Sequence, residues 1–166
     1  MTETASPALD HAWIAAHIPH QGTMCLLNAV VDWSENHIAC RAVSHTDPGN
    51  PLRAAERLGA ANGIEYAAQA MAIHGALLAG HDDPPRQGYL TSARGVTLRV
   101  DRLDNLPGEL VVLAERLSGD QNNVLYQFSV SHADRPLLEG RAAVVLDASA
   151  IASDGQPEKT AKKENP

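Results

Sequence analysis

The spacing of apolar positions along the chain changes character several times, and each change predicts an element. The first patterned stretch, "DHAWIAAH", reads as a short helix with Asp10 as its N-cap, closed by Pro19. "MCLLNAVVDW" and "HIACRAV" follow as two apolar runs around the turn-forming "SEN", which predicts two strands. Residues 52–79 are rich in Ala, Leu, Glu and Gln and make the long helical candidate. Within it Ile64, Ala67, Ala68, Met71, Ala72, Gly75 and Leu78 recur at helical spacing and predict a buried stripe of mostly small residues. Four strand-like segments come next, over 88–100, 109–117, 124–131 and 137–146, with the two-residue alternation clearest in "VTLRV" and "YQFSV". "LPG", "SGDQNN" and "ADRP" read as the turns between them. Two strands, a long helix and four strands predict an α+β fold, one helix laid on a mostly antiparallel sheet. No internal repeat divides the chain. We expect a single domain over residues 1–148 and a disordered tail over 149–166, where Lys159, Lys162 and Lys163 sit in polar, aperiodic sequence.

Composition narrows the partners. A formal charge of −7 argues against nucleic acid or an anionic membrane as the main partner. The apolar runs are too short to span a bilayer. "MTETASPALDHAW" lacks the basic and apolar regions of an export signal. Cys25 and Cys40 are isolated, so packed, reduced thiols and a cytoplasmic setting are expected.

Three features carry candidate chemistry. His20 lies in "IPHQGTMCLL", behind a proline that restricts the chain and ahead of a predicted strand. An imidazole held there suits proton transfer near neutral pH, although an isolated loop histidine is more often a solvated surface residue. Glu65 and Gln69 are four residues apart, hence on one helix face. With Asn62 as N-cap, Glu65 would also occupy the third helical position of a capping box, and capping alone would explain it. The third feature is "LTSARGVTLRVDRLDNLPGELVV", a strand, a Pro-Gly turn and a partner strand. His17 and His20 have His-x-x-His spacing, but Pro19 breaks the helix that would aim both at one metal. His74 and His81 read as solvated residues at a helix end. Neither a Gly-rich phosphate loop nor a Gly-x-Ser-x-Gly elbow occurs.

Together these segments resemble the hotdog-fold β-hydroxyacyl-acyl-carrier-protein dehydratases. "IPHQGTMCLLNAVVDW" is similar to the family's Leu-Pro-His…Leu-Leu-Asp…Val opening, with Asn28 in place of the Asp. "GIEYAAQAM" is similar to its Ile-Glu-Ala-Met-Ala-Gln helix motif, and the segment ending in Pro-Gly to its long antiparallel strands. Well-known members carry the active His in a Gly-His-Phe-Pro loop, where this chain has Pro51; the nearest histidine is His45, in "SHTDPGNP". The early Pro-His and the helical Gly63-Ile64-Glu65…Gln69 look more like the divergent aryl-polyene branch.

The resemblance implies a long helix wrapped by a curved antiparallel sheet, with two subunits pairing sheet edges as a homodimer or as a heterodimer with another hotdog subunit. It implies dehydration of 3-hydroxyacyl thioesters, on an acyl-carrier protein or coenzyme A, to trans-2-enoyl thioesters, without metal or organic cofactor. In that reading His20 is the base, Glu65 is a proton donor whose pKa burial raises, and Gln69 and Gly63 support it, with His45 as the other candidate histidine. Arg94, Arg99 and Arg102 form a candidate carrier-docking patch, or a plain solvated face. A hotdog thioesterase and a non-catalytic dehydratase-like subunit that binds acyl chains are the alternatives.

Overall fold

The computed structural model describes residues 9–80 and 88–146. The expected tail over 149–166, and His81, lie outside the described residues. Helix α1 spans His11–His17, and the Asp10 side chain accepts from Trp13 N–H at its start. Strands β1 (Ala29–Trp33) and β2 (His37–Ala42) precede helix α2 (Gly63–Ala79). Four longer strands follow: β3 (Tyr89–Leu98), β4 (Leu110–Gly119), β5 (Asn123–His132) and β6 (Arg135–Val145). All pairings are antiparallel, in one six-stranded sheet of order β1-β2-β4-β5-β6-β3. The chain crosses to the far edge, β3, through α2 and returns over residues 99–109 to β4 beside β2. Register shifts in β1, β3, β4 and β6 add local twist and bend the sheet around the helix. This is the hotdog architecture.

Inner positions alternate along the central strands. Leu110, Val112 and Ala114 on β4, and Tyr126, Phe128 and Val130 on β5, are buried against Tyr66, Ala67, Ala70 and Ile73 of α2. Aromatics are few, so small helix residues bring the backbone close to the sheet. At Gly63 an added Cβ would lie 2.5 Å from Leu138 Cδ2, closer than any side chain tolerates.

Three sequence expectations change here. Residues 52–59 are not helical, and Ala60–Asn62 form a 3-10 turn ahead of the α-helix. Ala55 and Glu56 have left-handed φ (50° and 60°) in a tight turn closed by Ala54 and Arg57. Beyond that turn the segment bonds the 101–104 loop, through Leu103 N–H to Leu58 O and Leu58 N–H to Asp104 Oδ1. Tertiary partners thus override helix propensity. The strand expected from Met24 begins only at Ala29, because Leu26 N–H and Met24 O are taken by the Gln69 side chain. The predicted stripe is also rotated: Ala67 and Met71 are buried, but Ala68, Ala72 and Gly75 are half-buried and Leu78 is exposed. These residues line a cavity instead of the sheet contact.

Candidate active site

The cavity has a volume of about 690 Å³ and runs along the flank of α2 that carries Ala68, Ala72, Gly75 and Ala79. His20 and Glu65 stand at the helix-start end. Sheet residues Leu90, Tyr126 and Val144 form part of the opposite wall. A pocket of this size with a few converging polar groups is suited to a small organic ligand.

Each element around Glu65 has a reason to be where it is. Pro19 follows the end of α1, and Gly22, at a left-handed φ of 58°, turns the chain into a short 3-10 turn over Gly22–Met24. Gln69, fully buried, fastens that turn to the helix: its Oε1 accepts Leu26 N–H at 2.9 Å and its Nε2 donates to Met24 O at 2.7 Å. The same Nε2 lies 3.2 Å from Glu65 Oε1. His20 is brought onto the helix start, with Nε2 3.1 Å from Glu65 Oε1. Both donors therefore converge on one carboxylate oxygen, and Oε2 has no hydrogen-bond partner among the described residues. His20 Nδ1 is buried and unpartnered among them.

The capping-box reading of Glu65 fails. Asn62 makes no side-chain cap bond, and its amide turns back to Gly59 O at 3.1 Å. The expected rise in the Glu65 pKa fails too. The hydrogen bond from His20 holds its carboxyl below the usual range and outweighs burial, with Gln69 adding to the effect. Glu65 is thus a carboxylate at neutral pH.

His45 is not near this pair. It is fully buried, its Nε2 donates to Leu106 O at 2.8 Å, and its Nδ1 has no partner among the described residues. Burial lowers its pKa, so it packs as a neutral ring joining two loops. Gly63 lets the helix start approach Leu138 of β6. Arg99 is paired with Glu139 at 2.7 Å, and Arg102 with Asp104. Arg94 is exposed and stands opposite Arg141 in the β3–β6 ladder. The three arginines thus do not form one open patch. Cys25 and Cys40 are buried free thiols, and burial pushes Cys40 up to about 12. No group of three or more potential metal ligands occurs among the described residues. No described helix is long and apolar enough to cross a membrane.

His74 corrects the expectation of a solvated helix-end residue. It is fully buried, with Nδ1 2.8 Å from Tyr126 Oη and Nε2 2.8 Å from Ser34 O. Tyr126 and Arg116 line the cavity beyond the His20–Glu65 end. Sequence reasoning passed over Arg116, although a signal existed: it continues the inner series Val112, Ala114 on β4, where an apolar residue is the ordinary choice.

Among solved structures, the chain is similar to the dehydratase heterocomplex ApeI:P from Xenorhabdus doucetiae, at a TM-score of 0.74 and 21% identity, covering 86% of this chain and 97% of that one. It is also similar to a mutant form of the thioesterase SAV0944 from Staphylococcus aureus (TM-score 0.51, 10% identity, 70% and 90% covered). A third likeness is to the thioesterase HI1161 from Haemophilus influenzae (TM-score 0.50, 13% identity, 70% and 76% covered). At these identities the likeness is one of fold. No curated protein sequence matches the chain. The family model described as ApeP dehydratase, ApeP-like, matches residues 12–153, nearly the whole of the described hotdog unit, and the chain belongs to the ApeP-like dehydratase family.

Proposed function

We propose that the chain dehydrates 3-hydroxyacyl thioesters to trans-2-enoyl thioesters, with His20 and Glu65 as the acting pair. The observation that carries this reading is the 3.1 Å contact between His20 Nε2 and Glu65 Oε1 at one end of an apolar cavity long enough to follow the helix. Dehydration removes a proton from C2 and returns one to the hydroxyl leaving C3. Ionised Glu65, with Oε2 free, takes the C2 proton, and the electron pair moves into the C2–C3 bond as the C3–O bond breaks. The same proton then passes to the departing hydroxyl, which leaves as water and restores the carboxylate. His20 and Gln69 hold Oε1 throughout and keep the group charged until substrate arrives. This reading gives Glu65 both proton transfers, where His20 was the expected base and Glu65 only the acid; the ionised state of Glu65 favours the change.

The substrate arrives on an acyl-carrier protein or coenzyme A in this reading, within the cytoplasm, and serves fatty acid or aryl-polyene lipid synthesis. A second hotdog subunit completes the cavity. Its place is the free edge of β3, where Tyr89, Leu90 and Leu98 are 40%, 41% and 48% exposed and where Leu90 also lines the cavity. Carrier docking narrows to Arg94 with its neighbour Arg141, since Arg99 and Arg102 already hold acidic partners.

Hydrolysis is the second reading, favoured by the same observation: an ionised carboxylate with a free oxygen also activates water. A 3-hydroxyacyl N-acetylcysteamine thioester separates the two. Growth of enoyl-thioester absorbance, lost by about 100-fold or more in Glu65→Gln, is expected. Free thiol without enoyl product would assign the site to hydrolysis. Neither product, from the chain alone or with its partner, would leave a non-catalytic acyl-binding subunit.

A further inference from the structure

A 3-hydroxyl brought to Glu65 needs an acceptor for its own proton, and the His20–Glu65 pair does not supply one. Glu65 Oε1 is filled by His20 and Gln69, and Oε2 has to stay open for the C2 proton. His20 spends Nε2 on Glu65, and its Nδ1 is closed off by burial. A hydroxyl donor taken out of water with nothing to accept from it costs free energy. An acceptor is present on α1. His17 lines the same cavity and precedes His20 by three residues, so the two Cα atoms lie within about 11 Å of each other. Its Nδ1 is 2.7 Å from Trp13 O. A carbonyl only accepts, so Nδ1 carries the proton, and the neutral ring presents Nε2 as a bare acceptor. That nitrogen has no hydrogen-bond partner among the described residues. The plane of the ring is fixed as well, stacked on Trp13 with centroids 3.9 Å apart and 10° between planes. Trp13 is held in turn, its N–H 3.0 Å from Asp10 Oδ1 and its side chain packed against the core. Beside the pair, Pro19, Ala68 and Ala72 line the cavity without a polar side chain.

We infer that His17 is a substrate-binding residue whose Nε2 accepts the hydrogen bond of the 3-hydroxyl, selecting 3-hydroxyacyl thioesters over those with no donor at C3. The inference rests on the dehydration reading of the cavity. With its O–H directed at Nε2, the hydroxyl oxygen turns a lone pair toward Glu65 instead of its proton. Oε2 is then not occupied by the hydroxyl and remains free to take the C2 proton. When Glu65 returns that proton to the oxygen lone pair, the C3–O bond breaks and water leaves with both protons, its own and the one from C2. His17 is unchanged by the step, since it accepts a hydrogen bond and no proton. The enoyl product has lost the group that His17 holds, which favours its release over substrate. A site built around a hydroxyl rejects the analogue lacking it, because the site's own polar group is then left unpaired.

The test compares 3-hydroxyacyl and 3-fluoroacyl N-acetylcysteamine thioesters of one chain length, the fluorine being close in size to the hydroxyl but having no proton to donate. Binding to Glu65→Gln is measured by calorimetry at about pH 8, above the ordinary imidazole range. We expect the hydroxyl compound to bind about tenfold more tightly. Two substitutions at His17 divide the ring's functions. His17→Asn keeps a donor for Trp13 O and removes the atom at Nε2, and the ratio should fall to within about twofold of unity. His17→Gln places a side-chain oxygen near the Nε2 position and should restore most of the ratio. Thermal melts identify a variant that has lost the fold. Should His17→Asn be one, Trp13 fluorescence in a Trp33→Phe background carries the test, and the hydroxyl compound should change the emission of the stacked pair more than the fluoro compound does. Equal losses for both ligands in His17→Asn, or equal emission changes, would show that His17 does not read the hydroxyl and overturn the inference. For turnover with Glu65 intact, His17→Asn should raise KM for the 3-hydroxyacyl thioester and lower kcat as well. Hydroxyl-selective binding that depends on His17, without any enoyl product, would instead overturn the dehydratase reading and leave the binding role standing.

Discussion

Glu65 keeps its charge in surroundings that favour the neutral acid, because two N–H groups converge on its Oε1. The hydrogen bond from His20 is the largest influence, and burial opposes it. Removing that bond in His20→Ala leaves burial less opposed, so the acid limb of kcat/KM should move to higher pH, as rate profiles from mildly acidic to neutral pH would show. An unmoved limb would mean that His20 does not govern the ionisation. Gln69 has a different signature. Gln69→Leu strands Leu26 N–H and Met24 O in the core and should cost about 2–4 kcal/mol of stability by urea unfolding, with kcat lowered as Glu65 loses its second donor. The Glu65–Gln69 relation was legible in the sequence, since four residues on a helix always share a face. Its partner His20, forty-five positions earlier, was legible only through family resemblance, because no local rule joins a loop to a distant helix.

At the scale of elements, the start of α2 is set by a close approach. A methyl group at Gly63 would press on Leu138, itself fully buried, so Gly63→Ala should lose about 1–3 kcal/mol in denaturant unfolding. The companion change Leu138→Ala should recover part of this in the double variant, a coupling absent if the glycine served only backbone freedom. The helix itself was legible from composition, but its first turn and its facing were not. Propensity extended it back to residue 52, while the 101–104 loop claimed that stretch for its own hydrogen bonds. Periodicity found an apolar stripe, yet Ala68, Ala72 and Gly75 face a cavity, and periodicity cannot tell a wall of protein from a wall awaiting a ligand.

Across the whole molecule, buried neutral histidines make acid destabilising. Burial lowers the pKa of both His45 and His74 below 6.5, while the unfolded chain still protonates there. The unfolded state therefore binds more protons as pH falls through that value, and the stability present above it is lost. The melting temperature should drop as pH falls from about 7.5 to about 5.5, and the slope should be shallower in His45→Leu. A second loss belongs below the ordinary carboxylate range, where Glu65 and Asp104, both held low by hydrogen-bond donors, take up protons. Assembly is also a property at this scale. Replacing Leu90 and Leu98 with Glu on the open β3 edge should weaken association with a second hotdog subunit, read as a fall in mass by sedimentation equilibrium. Unchanged mass would place the partner elsewhere.

The sequence by itself determined the order of elements, the inward alternation of β5, and the shared face of Glu65 and Gln69. Each depends on local period and side-chain chemistry, which a linear string contains. Tertiary structure alone decided that His20 rather than His45 meets Glu65, and that the carboxyl is ionised rather than protonated. It also placed His74 inside the core and joined it to Tyr126. Those outcomes turn on which groups from distant segments come within hydrogen-bond reach of one another, and on which water they exclude. A hydrogen bond between residues far apart in the chain has no period to announce it, yet in a buried site it governs charge, proton direction and, through them, the chemistry available.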